Sequence, residues 1–155
     1  MEEVYPMLNF KILDASKELA IARSLKNYRP PFTIRGGYRL IDNGIHPEAT
    51  VQIEADGKEI HEASTGNGPV DALASVLKKA LTPLFPEVGA IKLIDYQAHI
   101  LDAKKGTSTE VEVTILFTDS KNVWKVHSLS PNINMASFNA LADGFEYAIL
   151  SKLSI

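Results

Sequence analysis

Alternation of hydrophobic and polar residues predicts a three-stranded sheet in the first half of the chain. Residues 32–41 alternate loosely, residues 49–55 alternate cleanly, and residues 58–64 form a returning strand after Asp56-Gly57. Strict alternation is typical of a strand with one buried face, and Asp-Gly between two such runs favours a two-residue hairpin. Gly36-Gly37 interrupts the first strand and indicates a bulge or bend. We therefore expect three antiparallel strands with one apolar face.

A glycine-rich turn leads from this sheet into a long helix. The turn contains Gly66-Asn67-Gly68, and we expect its glycines to adopt positive φ, which a residue without a Cβ tolerates. Pro69 suits the first helical position, and Asp71 places negative charge at the positive end of the helix dipole. Apolar residues then recur at helical spacing to about residue 82, namely Val70, Leu73, Val76, Leu77, Ala80 and Leu81.

The local residues leave two interpretations of this helix start open. The favoured one is an ordinary strand-to-helix turn, and the alternative is an anion site in which backbone N–H groups bind a small carboxylate. Phosphate loops are a poor match, because Gly66-Asn67-Gly68-Pro69 has neither a third glycine at dinucleotide spacing nor a following Gly-Lys-Ser/Thr.

The same order of patterns recurs in the second half of the chain. Three strand patterns and one helix pattern follow one another: 91–101, 109–118, 123–129 and 135–152. A turn is expected at Lys104-Lys105-Gly106. Corresponding landmarks, such as Tyr38 and Tyr96 or Ala72 and Ala136, lie about 60 residues apart, which indicates an internal duplication. The predicted fold class is therefore α+β, with two βββα units whose antiparallel sheets are covered by helices and which pair as a dimer.

The first 31 residues carry a weaker pattern and are expected to form a linker segment with one helix. Residues 1–13 show no clear period, whereas Asp14-Ala15-Ser16 offers helix-capping chemistry. A helix is predicted over residues 17–28, with a narrow apolar stripe of Leu19, Ala22 and Leu25. Such a thin stripe is more typical of a connector than of a core helix. Pro30-Pro31 ends the helix as a stiff joint.

Length and composition bound the class of protein. With 155 residues, 45% of them hydrophobic, and a net charge of −3, the chain has room for one main domain, residues 32–155, made of repeats 32–90 and 91–155. The slight negative charge and the lack of Lys/Arg runs argue against nucleic-acid binding. The absence of cysteine and of an apolar run of about 18 residues leads us to expect a cytoplasmic protein without a membrane span.

No set of residues in the sequence indicates catalysis. The four histidines have no metal-ligand spacing and are expected to be surface or hydrogen-bonded residues: His46, His61, His99 and His127. Ser137 lacks the Gly-x-Ser-x-Gly motif of a nucleophile. Asp95 is expected to lie at a strand end and accept backbone hydrogen bonds, with a catalytic carboxylate as the alternative. We therefore expect a chain that is not catalytic by itself and holds no metal or cofactor, with Phe117 and Trp124 in its core.

Three motifs together resemble a known family. They are Gly66-Asn67-Gly68-Pro69-Val70-Asp71-Ala72, Leu93-Ile94-Asp95-Tyr96 and, after a strand with a tryptophan, Ser130-x-Asn132-Ile133-x-x-Ala136-Ser137-x-x-Ala140-Leu141. In this combination they resemble the C-terminal regulatory domain of 2-isopropylmalate synthase and its relatives. The citramalate synthase branch is the closer match, because its linker and its end resemble Asp14-Ala15-Ser16-x-Glu18-Leu19, Tyr28-x-Pro30-x-Phe32 and Ala140-Leu141-x-Asp143-x-x-Glu146-Tyr147. The resemblance spans residues 12–150.

This resemblance implies a regulatory function. Members of the family join a TIM barrel, which condenses acetyl-CoA with a 2-oxo acid, to this domain through helical linkers. The domain dimerises and binds the branched-chain amino acid that is the end product, which inhibits the enzyme. For this chain the implied role is the regulatory part of such an acyltransferase, with isoleucine as the favoured effector and leucine second. The implied partners are a second copy of the chain and a catalytic TIM-barrel domain of the same or a partner chain.

The resemblance also implies an effector site at the dimer interface, built from both helix-start loops and one strand. Its residues are Gly66, Asn67, Gly68, Pro69, Val70, Asp71, Leu93, Asp95, Tyr96, Ala98, Ser130, Asn132, Ile133 and Ala136. A helix N-terminus suits the carboxylate of an amino acid, Asp71 or Asp95 suits its ammonium group, and apolar side chains suit its branched tail. Inhibition would act through the linker, with Pro30-Pro31 as the joint.

Three residues of the second loop depart from the family's pattern. Ser128 and Met135 stand where glycine and glutamate are usual, and Pro131 stands where an acid is common. Ser128 and Met135 support a different hypothesis, a structural dimerisation module whose effector site has decayed. A small hydrolase or transferase that uses Asp95 is a third hypothesis, but no nucleophile or metal set accompanies that residue.

Overall fold

The computed structural model describes residues 3–5, 10–101 and 109–153. In chain order the elements are β1 (Glu3–Tyr5), β2 (Phe10–Asp14), α1 (Ala15–Arg23), β3 (Thr33–Ile41), β4 (Glu48–Ala55), β5 (Lys58–Thr65), α2 (Pro69–Leu81), a 3-10 turn (Pro86–Ala90), β6 (Lys92–Leu101), β7 (Glu110–Thr118), β8 (Val123–Ser130) and α3 (Ile133–Leu153). Two compact units result: the first-repeat unit (residues 29–89 and 148–155) and the second-repeat unit (residues 1–28 and 90–147). The predicted α+β class with two largely antiparallel sheets is confirmed.

Three antiparallel strands in the order β3-β4-β5 form the sheet of the first-repeat unit. Asp56 and Gly57 connect β4 to β5 with φ of 52° and 72°, which confirms the hairpin signal, since both central residues of a type I′ turn need positive φ. A register shift between Arg35 and Tyr38 confirms the bulge expected at Gly36-Gly37. Helix α2 packs against β4 and β5. The alternation on β4 buries Ala49, Val51, Ile53 and Ala55.

Helix α2 begins at Pro69 as predicted, but the glycines before it do not adopt positive φ. Gly68 is extended, with φ of −151°, and Gly66 is not among the described residues with positive φ. Gly66 is required for a different reason, because a Cβ there would lie 2.3 Å from the backbone nitrogen of Ala72. A Cβ on Gly68 would meet no atom within 4 Å. The glycine signal therefore predicted the turn correctly and its backbone conformation wrongly.

Five strands in the order β1-β2-β8-β7-β6 form the sheet of the second-repeat unit. Strands β6, β7 and β8 are antiparallel as predicted. Strand β2 pairs parallel with β8, with Ile12 opposite Val123, and β1 pairs with β2. The expectation that residues 1–13 form an irregular lead-in is therefore wrong for their described part, because tertiary pairing overrides a weak local pattern. The turn predicted at Lys104-Lys105-Gly106 lies outside the described residues.

Helix α1 begins and ends earlier than the predicted 17–28. It starts at Ala15, where Asp14 Oδ1 accepts a hydrogen bond from the backbone N–H of Lys17 at 3.1 Å. The predicted cap is thus confirmed, because a side-chain oxygen satisfies one of the free N–H groups at the helix start. The helix ends at Arg23, well before the two prolines that were expected to end it.

Helix α1 is also more deeply packed than a connector. Ala15 and Leu19 are fully buried, and Ser16 Oγ accepts a hydrogen bond from the backbone N–H of His127 on β8 at 3.0 Å. The predicted linker segment, residues 1–31, therefore contributes β1, β2 and α1 to the second-repeat unit. The expectation of a connector outside the core is wrong, because two apolar residues one turn apart are enough to anchor so short a helix.

Helix α3 and the inner strands of the second-repeat unit enclose an aromatic core. The Phe117 ring stacks on Trp124 with centroids 5.9 Å apart and meets Phe145 edge-on at 5.8 Å. The indole Nε1 of Trp124 donates a hydrogen bond to the carbonyl oxygen of Gly144 at 3.0 Å. The predicted core positions of Phe117 and Trp124 are confirmed, since both side chains are buried.

The two repeats match in detail, as the proposed duplication requires. Strands β3 and β6 each contain a register shift shortly before the equivalent tyrosines, Tyr38 and Tyr96. The buried residues Ala72 and Ala136 each donate the first helical hydrogen bond of α2 and α3, both at 2.9 Å. In the part of the chain that the structure describes, no helix is long and apolar enough to cross a membrane.

Candidate functional site

The predicted effector-site residues fall into two groups, one in each unit. The loop residues 66–71 belong to the first-repeat unit. The second-repeat unit holds the residues of β6 and of the start of α3: Leu93, Asp95, Tyr96, Ala98, Ser130, Asn132, Ile133 and Ala136.

The start of α2 is held by backbone contacts and by one acidic side chain. The N–H of Gly66 donates to the carbonyl oxygen of Pro47 at 3.0 Å, and the N–H of Asn67 donates to Asp71 Oδ2 at 2.8 Å. The N-cap residue is Gly68, so no side chain caps the first turn. A helix N-terminus without a capping side chain leaves its positive end to solvent or to an anion.

The start of α3 differs from that of α2, because a side chain caps its first turn. Asn132 Oδ1 accepts hydrogen bonds from the backbone N–H groups of Asn134 at 2.8 Å and Met135 at 3.1 Å. Ser130 Oγ accepts a further bond from the N–H of Asn132 at 3.1 Å. Asn132 is therefore the N-cap, and the helix begins at Ile133, before the predicted residue 135. Of the two helix starts, only that of α2 lacks a cap side chain.

In strand β6, Asp95 lies on the opposite face of the sheet from the other predicted site residues of that strand. The register shift in β6 places Asp95 opposite Leu116 and Tyr96 opposite the buried Ile115. Successive strand residues face opposite sides of a sheet, so Asp95 points away from the face that α3 covers. Its Oδ2 accepts a hydrogen bond from Gln97 Nε2 at 3.2 Å. The expectation of a strand-end carboxylate bonded to backbone is wrong.

Tyr96, in contrast, is tied to the start of α3. Its hydroxyl oxygen lies 2.8 Å from Ser137 Oγ, and Ser137 Oγ donates to the carbonyl oxygen of Ile133 at 2.8 Å. Ser137 is fully buried, and the prediction omitted it from the site. The signal for it is local: a serine inside a helix commonly donates its hydroxyl to the carbonyl four residues earlier.

A second group of polar residues joins the region of α1 to α3, and we name it the Glu146 clasp: Arg23, Tyr28, Asp143 and Glu146. Arg23 Nη2 lies 2.7 Å from Asp143 Oδ1 and 3.1 Å from Glu146 Oε1, and the Tyr28 hydroxyl donates to Glu146 Oε2. Glu146 is only 8% exposed. The clasp brings together two of the sequence motifs on which the family resemblance depends.

The clasp has a measurable electrostatic signature. Burial of the hydroxyl, and then its hydrogen bond to the Glu146 carboxylate, raise the pKa of Tyr28 to about 12. Both effects favour the protonated phenol, since ionisation would place a second negative charge beside a carboxylate.

We expect Glu146→Gln to destabilise the chain by about 1–3 kcal/mol, because the buried charge that Arg23 binds is lost. The same change should lower the pKa of Tyr28, measured by tyrosine absorbance during alkaline titration, with Tyr28→Phe identifying the signal. Asp143→Asn is the control, since this carboxylate is 28% exposed and exposed ion pairs contribute under about 1 kcal/mol. Equal losses for both variants in urea unfolding would contradict a special role for Glu146.

Metal chemistry finds no support in the geometry of the described residues. Within residues 3–5, 10–101 and 109–153, no group of three or more His, Asp or Glu side chains could hold a metal ion. His99 Nε2 lies 3.4 Å from Gln97 Oε1, on the face of β6 that also carries Asp95.

Comparisons with known proteins agree with the resemblance seen in the sequence. An (R)-citramalate synthase of Geobacter sulfurreducens is 38% identical over 146 residues, covering 90% of this chain and 28% of the relative. Those of Aquifex aeolicus and Synechocystis sp. are 36% and 33% identical, covering 92% and 90% of this chain and 28% and 27% of the relatives. The chain thus spans little more than a quarter of their length. The family described as the LeuA allosteric (dimerisation) domain matches residues 12–149, and the chain belongs to that family.

Proposed function

We propose that this chain is the feedback-regulatory and dimerisation part of a citramalate synthase or 2-isopropylmalate synthase, and that it binds a branched-chain amino acid. The observation that carries the proposal is the family match over residues 12–149. The names of the similar proteins favour the citramalate synthase branch. Isoleucine is accordingly the preferred effector and leucine the second. The proposed partners are a second copy of the chain and a catalytic TIM barrel that uses acetyl-CoA and a 2-oxo acid.

The start of α2 supplies the chemistry that an amino acid needs. Its first turn lacks a cap side chain, so the helix dipole and backbone N–H groups are suited to the effector's carboxylate. Asp71 lies in the same turn and presents a carboxylate to an ammonium group, while one of its oxygens holds the N–H of Asn67. A zwitterion satisfies both charges, whereas a plain carboxylic acid would face Asp71 without compensation.

Inhibition requires that the effector bind two states of the enzyme unequally. The proposed route is the linker, whose Pro30-Pro31 joint comes shortly after Tyr28 of the Glu146 clasp in the chain. Because the clasp holds Tyr28 against α3, movement of α3 and of the joint would be coupled. This route is independent of which amino acid binds.

Heat unfolding of the purified chain tests the binding proposal directly. Millimolar isoleucine should raise the midpoint more than leucine or valine, because a ligand that binds only the folded state adds about 2.7 kcal/mol at a hundredfold excess over its Kd. Gly68→Val supplies the site control: the position has open space and extended backbone, so the variant should fold and lose the shift. A full shift in Gly68→Val would show that the ligand binds elsewhere.

The alternative, a structural dimerisation module with a decayed effector site, has one specific observation in its favour. Asn132 closes the start of α3 with two hydrogen bonds, in the loop where Ser128, Pro131 and Met135 depart from the family's pattern. This hypothesis expects a folded dimer, measured by sedimentation, whose midpoint no branched-chain amino acid moves. A shift with any one of the three amino acids would reject it.

A further inference from the structure

The sheet face that α3 covers remains open at one end. Ile100 is 72% exposed, and Ala98 is exposed on the same face of β6. On β8 the same face carries Ser128 and Ser130. Tyr96 lies two residues before Ala98 and is half-buried, so it stands where the covered part of the face meets the open part. A partly apolar surface with a phenol at its border suits a small molecule with an aliphatic tail and a polar head.

The hydrogen bonds of Ser137 determine which way the Tyr96 hydroxyl points. A serine hydroxyl has one proton, and Ser137 donates it to the carbonyl oxygen of Ile133, which can only accept, at 2.8 Å. The bond of 2.8 Å between Ser137 Oγ and the Tyr96 hydroxyl must then use the proton of Tyr96. The Tyr96 oxygen is left with lone pairs only, so any further partner of that oxygen has to be a donor.

We propose that Ser137 is a positioning residue that makes Tyr96 an acceptor-only group, and that Tyr96 thereby selects an effector with an N–H donor on its α-carbon. The inference rests on the proposed function and adds to it a basis for selectivity. A 2-oxo acid with the same carbon skeleton presents a carbonyl oxygen where the amino acid presents an ammonium group. Two acceptors would then face each other, and an unsatisfied polar group disfavours binding by roughly tenfold to hundredfold.

Selectivity of this kind has a clear use in the proposed enzyme. An enzyme that condenses 2-oxo acids works in their presence, so its regulatory site has to reject them and respond to the amino acid. The capped start of α3 offers a ligand fewer donors, because the N–H groups of Asn134 and Met135 already donate to Asn132 Oδ1. The Tyr96 oxygen is therefore one acceptor that this end of the sheet face offers to a ligand.

Calorimetric titration of isoleucine and of 3-methyl-2-oxopentanoate into the purified chain tests the proposal. The measured quantity is the Kd of the 2-oxo acid divided by the Kd of isoleucine. It is determined for the wild type, Ser137→Ala, Tyr96→Phe and the double variant. In the wild type the amino acid should bind at least tenfold more tightly. Ser137→Ala frees the Tyr96 proton to donate to the carbonyl oxygen, so the ratio should shrink several-fold, mostly through tighter binding of the 2-oxo acid.

The double variant separates this effect from any other cause of the preference for the amino acid. In the Tyr96→Phe background Ser137→Ala should leave the ratio unchanged, because Ser137 acts only through the Tyr96 hydroxyl. Ser24→Ala is the matched control: that hydroxyl also donates to a helical carbonyl, Ile21 O at 2.6 Å, and its loss should leave the wild-type ratio. Tyr96→Phe alone tests the acceptor if Ser137→Ala fails to fold, and its ratio should also shrink.

Two outcomes overturn the proposal in different ways. If isoleucine binds but neither Ser137→Ala nor Tyr96→Phe changes the ratio, Tyr96 does not select the donor, and the proposed regulatory function still stands. If none of the branched-chain amino acids binds the wild-type chain, the proposed function and this inference both fail.

Discussion

Replacing Gly144 by alanine is expected to destabilise the chain by about 2–3 kcal/mol, against the usual gain for alanine in a helix. A Cβ at this position would lie 2.1 Å from Cζ and 2.3 Å from Cε1 of Phe117. These distances are far inside van der Waals contact, so either the ring or α3 has to move. The alanine preference of a helix interior is worth about 1 kcal/mol, which is too little to offset overpacking of a closed core.

The ring of Phe117 has little freedom to yield. It stacks on Trp124 and meets Phe145 edge-on, and both neighbours are buried. Helix α3 is also tied to the sheet, since Trp124 Nε1 donates to the carbonyl oxygen of Gly144 itself at 3.0 Å. A shift of the helix away from the ring would stretch that hydrogen bond, so neither movement is free of cost.

A double-mutant cycle in urea unfolding checks this prediction. Phe117→Leu removes the ring carbons that a Cβ on Gly144 would meet, and on its own it should lose about 1–2 kcal/mol through a smaller core. The double variant should be more stable than the sum of the two losses by at least about 1 kcal/mol, because the two residues share one contact. Losses that simply add would contradict the clash as the cause.

The fold of each repeat was predictable where the signals were local. The clean alternation of residues 49–55 predicts a strand with one buried face, and β4 is that strand. Asp56-Gly57 predicts a turn that needs two positive φ values, and both residues have positive φ. Helix α2 kept its predicted bounds because proline at its start and a broad apolar stripe agree. Local signals of this kind depend on neighbours a few residues away, which the sequence displays directly.

Long-range pairing could not be predicted in the same way. The parallel partner of β2 is more than a hundred residues away in sequence. The five residues of β2 are too few for their pattern to predict a strand. Helix α1 was predicted as a connector because only a thin apolar stripe was visible. Its burial depends on β8 and on α3 through the Glu146 clasp, whose partners are distant in the chain.

The candidate site was likewise predictable where its signals are local and not where they depend on distant residues. The three sequence motifs located the two helix starts, but they could not show that Asn132 caps one of them while Gly68 leaves the other without a cap side chain. The face of Asp95 depends on a register shift inside β6, and no residue in that strand marks the shift as glycines mark the one in β3. The hydrogen bond between Tyr96 and Ser137 joins residues of different elements, so only the folded chain displays it.

Gly66→Ala is the second substitution with a large expected effect, and it acts on the candidate site as well as on stability. A Cβ on Gly66 would lie 2.3 Å from the backbone nitrogen and 2.7 Å from the Cα of Ala72. Backbone atoms inside the first turn of α2 cannot move without moving the helix, seven of whose residues are buried. We expect a loss of about 2–4 kcal/mol and, under the proposed function, a weakened response to isoleucine because the N-terminal N–H groups are displaced.

Gly68→Ala is the matched control, two residues away in the same loop. Its Cβ would meet no atom within 4 Å, and its φ of −151° is open to any residue. The variant should therefore lie within about 1 kcal/mol of the wild type, since a stiffer unfolded chain offsets a poorer N-cap residue. Urea midpoints, measured on both variants, decide the matter. If Gly66→Ala is as stable as Gly68→Ala, the close approach of Gly66 to Ala72 does not determine where α2 begins, and the argument for this helix start as a rigid carboxylate site loses its structural basis.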